Sequence, residues 1–195
     1  LGQHWRISAA YTYRTLNRAL EDAAIDQAAL AYCHAQGFAD DPNAGTPRQN
    51  PALLGCNEIY TGFSQYVLVN PGEDASITLS GNGGIGLPDG TNPVVNFTAA
   101  QLGYPKATRK YQAMTFTVDR EFDGKWSFNA SYTLAADIGN YEGGVKSDIG
   151  QSDTGATEDF DQPGFTYGIY GYLPNHRRHT IKLCGSYQLT DWLVL

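Results

Sequence analysis

The sequence predicts an all-β fold in which long antiparallel strands form one sheet. Three observations lead to this prediction. Apolar and polar residues alternate in several long runs, the connections between these runs are either very short or very long, and the tryptophans lie beside the short connections. Alternation with a period of two is the pattern of a strand whose two faces meet different surroundings.

The first run, WRISAAYTYR, predicts a strand that begins at Trp5. Its apolar residues Ile7, Tyr11 and Tyr13 recur at even spacing, with smaller or polar residues between them. The next segment, TLNRALEDAAIDQAALAYCHAQG, is rich in Ala and Leu, carries acidic residues in its early turns and ends at Gly37. It therefore predicts an amphipathic helix directly after the strand, with a glycine at its C-terminal end.

The chain from this helix to residue 106 predicts mainly loop. Three prolines interrupt a stretch that has no sustained period. FSQYVLVNPG and DASITLSG are short strand candidates, and residues 81–93 are rich in turn-forming residues. Both candidate strands are short for crossing a membrane, so we expect no additional crossing within residues 15–106.

A β-hairpin over residues 110–135, KYQAMTFTVDREFDGKWSFNASYTLA, is the clearest local feature. Its tight turn lies at residues 123–125, and the alternation continues on both sides of that turn. One face is apolar, with Arg120 as the exception, and the other face consists mostly of small neutral residues. The apolar face contains Met114, Phe116, Val118, Phe122, Trp126, Phe128, Ala130, Tyr132 and Leu134.

A long connection rich in Gly and Asp, residues 137–175, follows the hairpin. It is far longer than the few residues that usually join two strands. Seven acidic residues and one base, Lys146, give it a net charge of −6 in a chain whose net charge is −7. Nucleic acid is therefore excluded as a partner, because a phosphate backbone requires a basic surface. RRHTIKLCGSYQL then predicts another strand, and a two-residue turn, Thr190 and Asp191, leads to WLVL.

Short turns on one side and long loops on the other are the layout of an outer-membrane β-barrel. Residues 15–106 and 137–175 are the expected extracellular segments. The aromatic residues that border the short connections predict the girdle at the periplasmic side of the bilayer. These girdle residues are Trp5, Phe122, Trp126 and Trp192.

The alternative fold is a soluble β-sandwich, whose strands also alternate. A soluble exterior carries many charged residues, whereas the second face of the hairpin carries mostly Thr, Ser, Asn and Ala. Such a face suits the wet interior of a large barrel, where it can bind water, loops or a plug. The polar face therefore favours a transmembrane barrel over a sandwich.

Several segments resemble the C-terminal barrel of TonB-dependent outer-membrane receptors of the Oar-like group. They are NYEGGVKSDIGQSDTGATEDFDQPG, GYLPNHRRHTIKLCGSYQL, GYPKATRKYQAMTFTVDREFDGKWSFNASYT and QYVLVNPG. The resemblance covers most of the chain and is strongest over residues 103–189. His176 stands where the family would have an Asp, and this departure weakens any role for a carboxylate there.

The resemblance implies a fold, a function and partners. The implied fold is a barrel of about 22 strands plugged by an N-terminal domain, and the pattern of the chain itself adds long extracellular loops, one of which contains a helix. Residues 1–195 would be part of one barrel domain in the outer membrane of a Gram-negative bacterium, and the plug and N-terminal domain would lie elsewhere in the protein. The implied partners are membrane lipid, lipopolysaccharide, the protein's own plug, TonB and an unknown transported ligand.

The sequence leaves other functions open. Leu1 is not an initiator Met, and both ends fall within strand-like sequence, so we expect an excerpt of a longer chain. A passive porin-like barrel, a surface adhesin and a secreted β-sandwich binding module are the alternatives. No nucleophile elbow or Gly-rich phosphate loop is present, so we expect neither enzymatic activity nor a cofactor.

The acidic connection supplies the candidate ligand-facing residues. Carboxylates on a flexible loop suit Ca²⁺, but the spacing is not that of an EF-hand, so simple hydration or ligand contact is the preferred interpretation. The weak Ca²⁺ candidates are Asp148, Asp153, Asp159 and Asp161. The ligand-facing candidates are Tyr141, Glu142, Asp148, Asp153, Asp161, Arg177 and Arg178.

Two further patterns concern the loops and their borders. His176 and His179 form H-x-x-H, but at the start of a strand positions three apart face opposite sides, so we expect no metal site. The adjacent arginines could instead contact acidic loop residues or lipopolysaccharide phosphates. Cys33 and Cys56 flank the proline-rich stretch in an expected oxidising compartment, which favours a disulfide over two free thiols.

Overall fold

A computed structural model describes residues 2–43, 55–58, 66–79, 86–146, 151–152, 159–190 and 193–194. The chain divides into two compact units. The sheet unit consists of residues 1–16, 109–140 and 170–195, and the second unit consists of residues 17–108 and 141–169.

The described residues form mainly β-strands, which confirms the all-β prediction at the level of fold class. The strands are β1 (Trp5–Leu16), β2 (Glu21–Ala24), β3 (Tyr66–Val69), β4 (Ala75–Thr78), β5 (Val94–Phe97), β6 (Arg109–Arg120), β7 (Trp126–Gly139), β8 (Val145–Lys146), β9 (Gln151–Ser152), β10 (Gly171–Tyr172), β11 (His179–Thr190) and β12 (Leu193–Val194). The α-helices are α1 (Asp26–Ala35) and α2 (Ala99–Leu102), and Cys56–Glu58 and Pro163–Thr166 form 3₁₀ turns. No described helix is long and apolar enough to cross a membrane.

The sheet unit is one antiparallel sheet. Its order is β1-β6-β7-β11-β12, and β10 pairs with the end of β7. The predicted hairpin is confirmed: β6 and β7 pair from Arg109 opposite Gly139 to Arg120 opposite Phe128. Among the described strands, β1 and β12 lie at the two edges of this open sheet.

The register of the sheet separates two faces over four strands, because paired residues point to the same side. One row across the sheet contains Ala9, Phe116, Tyr132 and Ile181. The next row, on the opposite face, contains Ser8, Thr117, Ser131 and Lys182. We call these the apolar face and the polar face. The alternation read from single strands therefore extends across the whole sheet.

The predicted helix over residues 15–37 is shorter than the sequence indicates. Strand β1 extends to Leu16, and residues 21–24 form β2, which pairs with β3; helix α1 begins only at Asp26. The prediction was wrong before Asp26 because long-range strand pairing prevails over the weak helical preference of Ala and Leu. The predicted glycine at the C-terminal end of the helix is confirmed, because Gly37 adopts a left-handed φ of +89° just after α1.

The second unit is built from three two-stranded sheets and two helices. β2 pairs with β3, β4 with β5 and β8 with β9, and the first four of these strands have four residues each. Helix α2 begins with a capping box in which Thr98 and Gln101 bind each other's backbone N–H groups. None of the three pairs joins the large sheet within the described residues.

Phe160, in the second unit, is fully buried. Its ring contacts Tyr104 and Tyr141, at centroid distances of 6.4 and 6.0 Å. The neighbouring Asp161 accepts a hydrogen bond at its carbonyl oxygen from the backbone N–H of Ala24 (3.1 Å). Tyr141, Phe160 and Asp161 thus pack against Tyr104 and Ala24, so the described parts of the two segments share one core.

Candidate functional site

The apolar face of the sheet unit is exposed in this structure. Ile181 and Leu183 on β11 are 68% and 69% exposed, and Ile7 on β1 and Phe116 on β6 are also exposed. Burying such side chains away from water is favourable by about 1.5–3 kcal/mol each. A contiguous apolar surface of this kind marks contact with a membrane or another protein.

The polar face carries short hydrogen bonds between side chains of neighbouring strands. Thr115 and Thr133 share a hydrogen bond of 2.9 Å between their Oγ1 atoms, and Ser127 and Ser186 share one of 2.7 Å between their Oγ atoms. Cys184, an exposed free thiol, belongs to the same face. Neutral hydroxyl groups on this face therefore bind one another across neighbouring strands.

The residues beside the 123–125 turn form an aromatic and charged cluster. The rings of Trp5 and Trp126 meet edge to face with their centroids 5.9 Å apart. The Arg120 guanidinium lies over Trp126 and also donates a hydrogen bond to Asp123. That hydrogen bond holds the pKa of Asp123 well below its usual value.

The predicted girdle residues are only partly brought together. Trp5 and Trp126 are in contact, and Phe122 is exposed. Trp192 lies outside the described residues. The sequence therefore located a real aromatic contact, and its position at a bilayer boundary stays a prediction.

Arg109 and Asp137 form an ion pair at the opposite end of β6 and β7. Arg109 donates from Nε to Asp137 Oδ1 (3.1 Å) and from Nη2 to Oδ2 (2.6 Å). Asn175, with its amide oriented to suit both neighbours, accepts from Arg109 Nη2 (3.2 Å) and donates to Asp137 Oδ2 (3.3 Å). Since Asp137 is only 4% exposed, this network stabilises a carboxylate that would otherwise be costly to bury.

The histidines and arginines of NHRRH have separate partners. His176 stacks on Tyr172 at 4.5 Å and accepts a hydrogen bond from the backbone N–H of Asp137 (3.2 Å). His179 Nδ1 instead lies 2.8 Å from the Tyr132 hydroxyl. The two imidazoles thus do not converge.

The two arginines between these histidines are exposed. Arg178 donates to the Tyr172 hydroxyl (2.8 Å), and Arg177 donates to the carbonyl oxygen of His176 (2.9 Å). Both contacts are to neutral groups, so the charges of Arg177 and Arg178 remain open to an anionic partner. A role in binding lipopolysaccharide phosphates stays a prediction.

The acidic candidates do not form a metal centre among the described residues. In that part of the chain, no group of three His, Cys, Asp or Glu side chains could hold a metal ion. Asp148 and Asp153 lie outside that part, whereas Asp159 and Asp161 lie beside the buried Phe160. A calcium site therefore stays a prediction.

Tyr141 and Glu142 are buried, at 6% and 5% exposure, and this burial argues against their predicted ligand-facing role. The pKa of Tyr141 is raised above its usual value by burial and then by the nearby charge of Glu21. Tyr141 thus belongs to the packing of the second unit.

Cys33 and Cys56 are joined by a disulfide in the second unit, with 5.8 Å between their Cα atoms. Both sulfurs are fully buried, and the bond links α1 to the 3₁₀ turn Cys56–Glu58. It closes a segment with a sequence separation of 23 residues. The disulfide therefore fixes the start of the proline-rich stretch to its end.

One stretch of 83 residues is 34% identical to the TonB-dependent transporter Oar of Myxococcus xanthus. The chain is similar to a transporter over less than half of its length. The aligned residues are 43% of this chain and 8% of that protein, so the chain spans a small part of the transporter. No protein-family model matches the chain, and no solved structure matches it.

The network of Arg109, Asp137 and Asn175 was not predicted from the sequence. A signal for part of it was available, because counting outward from the 123–125 turn places Tyr111 opposite Asp137. Arg109 then lies diagonally across from Asp137 on the same face, within reach of a long side chain. The position of Asn175 depends on the path of the long connection and carries no such signal.

Proposed function

We propose that this chain is part of a TonB-dependent transport receptor in the outer membrane of a Gram-negative bacterium. In this proposal the sheet unit is a portion of the barrel wall, and the second unit belongs to the extracellular surface that meets the transported ligand. The observation that carries the proposal is the exposed apolar face, which continues over β1, β6, β7 and β11.

Strand length supports this assignment. β1, β6 and β11 have 12 residues each and β7 has 14. A tilted transmembrane strand needs about 9–11 residues. The four-residue strands β2 to β5 are much shorter, which suits a loop region better than a wall.

The chemistry of the two faces supports it as well. In a bilayer, lipid acyl chains would surround the exposed apolar side chains, and this environment is more favourable for them than water. Thr, Ser and Asn on the polar face suit a water-filled lumen or the surface of a plug. The proposal assigns the plug and the contact with TonB to other parts of the full protein.

Neighbouring positions 183 and 184 on β11 provide the test. Leu183 belongs to the apolar face and Cys184 to the polar face. In the full-length protein in lipid vesicles, an environment-sensitive fluorophore is attached either to Cys184 or, in the Leu183→Cys/Cys184→Ser variant, to position 183. We expect brominated acyl chains to quench the label at position 183 and to leave the label at Cys184 bright.

Equal quenching at both positions would contradict the proposed barrel wall. A conductance measurement in a planar bilayer then separates a plugged transporter from a passive porin. The transporter is expected to conduct little until urea unfolds its plug, whereas a porin conducts from the start. Continuous conductance without urea would overturn the transporter assignment while retaining the barrel.

A further inference from the structure

A recess of about 620 Å³ opens on the polar face of the sheet unit, at the end remote from the 123–125 turn. Its lining includes Arg14, Tyr111 and Asp137, which form one row across β1, β6 and β7. Ligand-binding cavities generally measure about 300–1,000 Å³. The recess is therefore large enough for a small organic molecule.

The charged groups of this recess differ in whether a ligand could contact them. The Asp137 carboxylate already receives both hydrogen bonds from Arg109 and one from Asn175. Arg14 is exposed, and in the part of the chain that the structure describes its guanidinium has no hydrogen bond or ion pair. The recess thus offers one positive charge that its own residues do not neutralise.

Neutral donors accompany this charge. The Tyr111 hydroxyl also has no hydrogen-bond partner among the described residues, and Thr12, on the same face of β1 as Arg14, belongs to the same lining. A guanidinium presents its N–H groups in a planar fork that matches the two oxygens of a carboxylate. One available cation beside neutral donors suits a group with a single negative charge.

We propose that this recess binds the carboxylate group of a small organic ligand. Arg14 supplies the charged contact and Tyr111 a second hydrogen bond, while Arg109 and Asn175 hold the Asp137 carboxylate so that it does not compete for Arg14. The inference rests on the proposed function in one respect, since a barrel wall would turn this face toward the lumen through which a ligand passes.

The test uses the full-length protein in detergent micelles with 4-fluorobenzoate as the probe. The neutral 4-fluorobenzamide has nearly the same shape, so it isolates the contribution of the charge. Fluorine NMR line broadening measures the dissociation constant of each probe. We expect 4-fluorobenzoate to bind and 4-fluorobenzamide to bind at least about tenfold more weakly.

Substitutions then locate the site. Arg14→Gln should weaken binding of 4-fluorobenzoate at least about tenfold, and Tyr111→Phe should weaken it several-fold. Arg6→Gln is the matched control, because Arg6 lies on the same strand and the same face but lines the other end of the sheet. Its dissociation constant should equal that of the unsubstituted protein.

Three results would overturn the inference: no binding of 4-fluorobenzoate, equal binding of both probes, or equal binding by Arg14→Gln and the unsubstituted protein. None of them would affect the proposed barrel wall if the label at position 183 is still quenched by brominated lipid. The two proposals can therefore fail independently.

Discussion

The guanidinium carbon of Arg120 lies 3.7 Å from the centroid of the Trp126 ring. The Trp5 ring lies on the same cation at 6.0 Å, and Asp123 pairs with it. Arg120 is the residue that interrupts the apolar face of β6, and these contacts explain how the face accommodates it. Its charge is paired and its flat surface is covered by aromatic rings, so little of the cation is left for lipid or water to solvate.

We expect Arg120→Met to lower the free energy of unfolding by about 1–2 kcal/mol, because both the cation–π contact and the ion pair are lost. A double-mutant cycle with Trp126→Leu isolates the aromatic contact, and its coupling energy should be about 1 kcal/mol. Unfolding of the full-length protein in micelles by guanidinium chloride, followed by circular dichroism, measures the free energy of unfolding of each variant. A coupling energy of zero would show that the contact contributes nothing.

Removing one partner of the buried ion pair should cost more than removing one partner of an exposed pair. Asp137→Leu leaves Arg109 without its carboxylate, and we expect a loss of about 3 kcal/mol that the added substitution Arg109→Leu largely restores. Arg6 and Glu121, 3.4 Å apart with side chains 74% and 65% exposed, are the control pair on the same sheet. The matching substitutions there should change stability by less than about 1 kcal/mol. Similar losses at both pairs would contradict the role assigned to burial.

The disulfide predicts a specific pattern of alkylation. Peptide mapping of the full-length protein without reduction should find Cys33 and Cys56 in one linked peptide, with Cys184 alkylated as the internal control. Cys33→Ser should lower the stability of the second unit by about 3 kcal/mol. Alkylated Cys33 in the unreduced protein would disprove the bond.

Alkaline pH should destabilise the second unit. Burial raises the pKa of Tyr104 above its usual value, and its hydroxyl donates to the backbone oxygen of Ala24 at 2.7 Å. A phenol with a higher pKa in the folded state stabilises the fold fully below its unfolded pKa of about 10, and this stabilisation is lost as pH rises beyond it. Thermal unfolding between about pH 8 and pH 12 measures the loss.

Two phenylalanine variants check this prediction. Tyr104→Phe should lower stability by about 1 kcal/mol at pH 8 and make the alkaline loss shallower, because the buried phenol is gone. Tyr167→Phe is the control, since Tyr167 is 93% exposed. Tyr167→Phe should change neither the stability at pH 8 nor the slope of the alkaline loss. An unchanged alkaline slope in Tyr104→Phe would exclude this tyrosine as the source.

The long strands could be predicted from sequence because their signal is local. Alternation identifies a strand from its own residues, and the tight turn at 123–125 fixes the register of β6 on β7. The start of α1 could not be predicted, because residues 21–24 pair with residues 66–69 far away in the chain. Propensity within the segment contains no information about that partner.

In the candidate site, too, some features have a local sequence signal and others depend on residues far away in the chain. The two faces and the contact between Trp5 and Trp126 follow from alternation and from the positions of the turns. The burial of Tyr141 accompanies its contact with Phe160, which depends on how a long connection folds back, and Glu142 is buried beside it in sequence. Acidic composition predicted a solvated loop, and it could not show which of its residues turn inward.

The position of Phe160 matters for anyone who exchanges surface segments between related proteins. A graft of residues 141–169 alone would carry Phe160 away from Tyr104 and would break the hydrogen bond between Ala24 and Asp161. Residues 17–108 would in turn be left with a hole in their interior. The two segments therefore behave as a single cassette, and an exchange between related proteins would have to transfer both together.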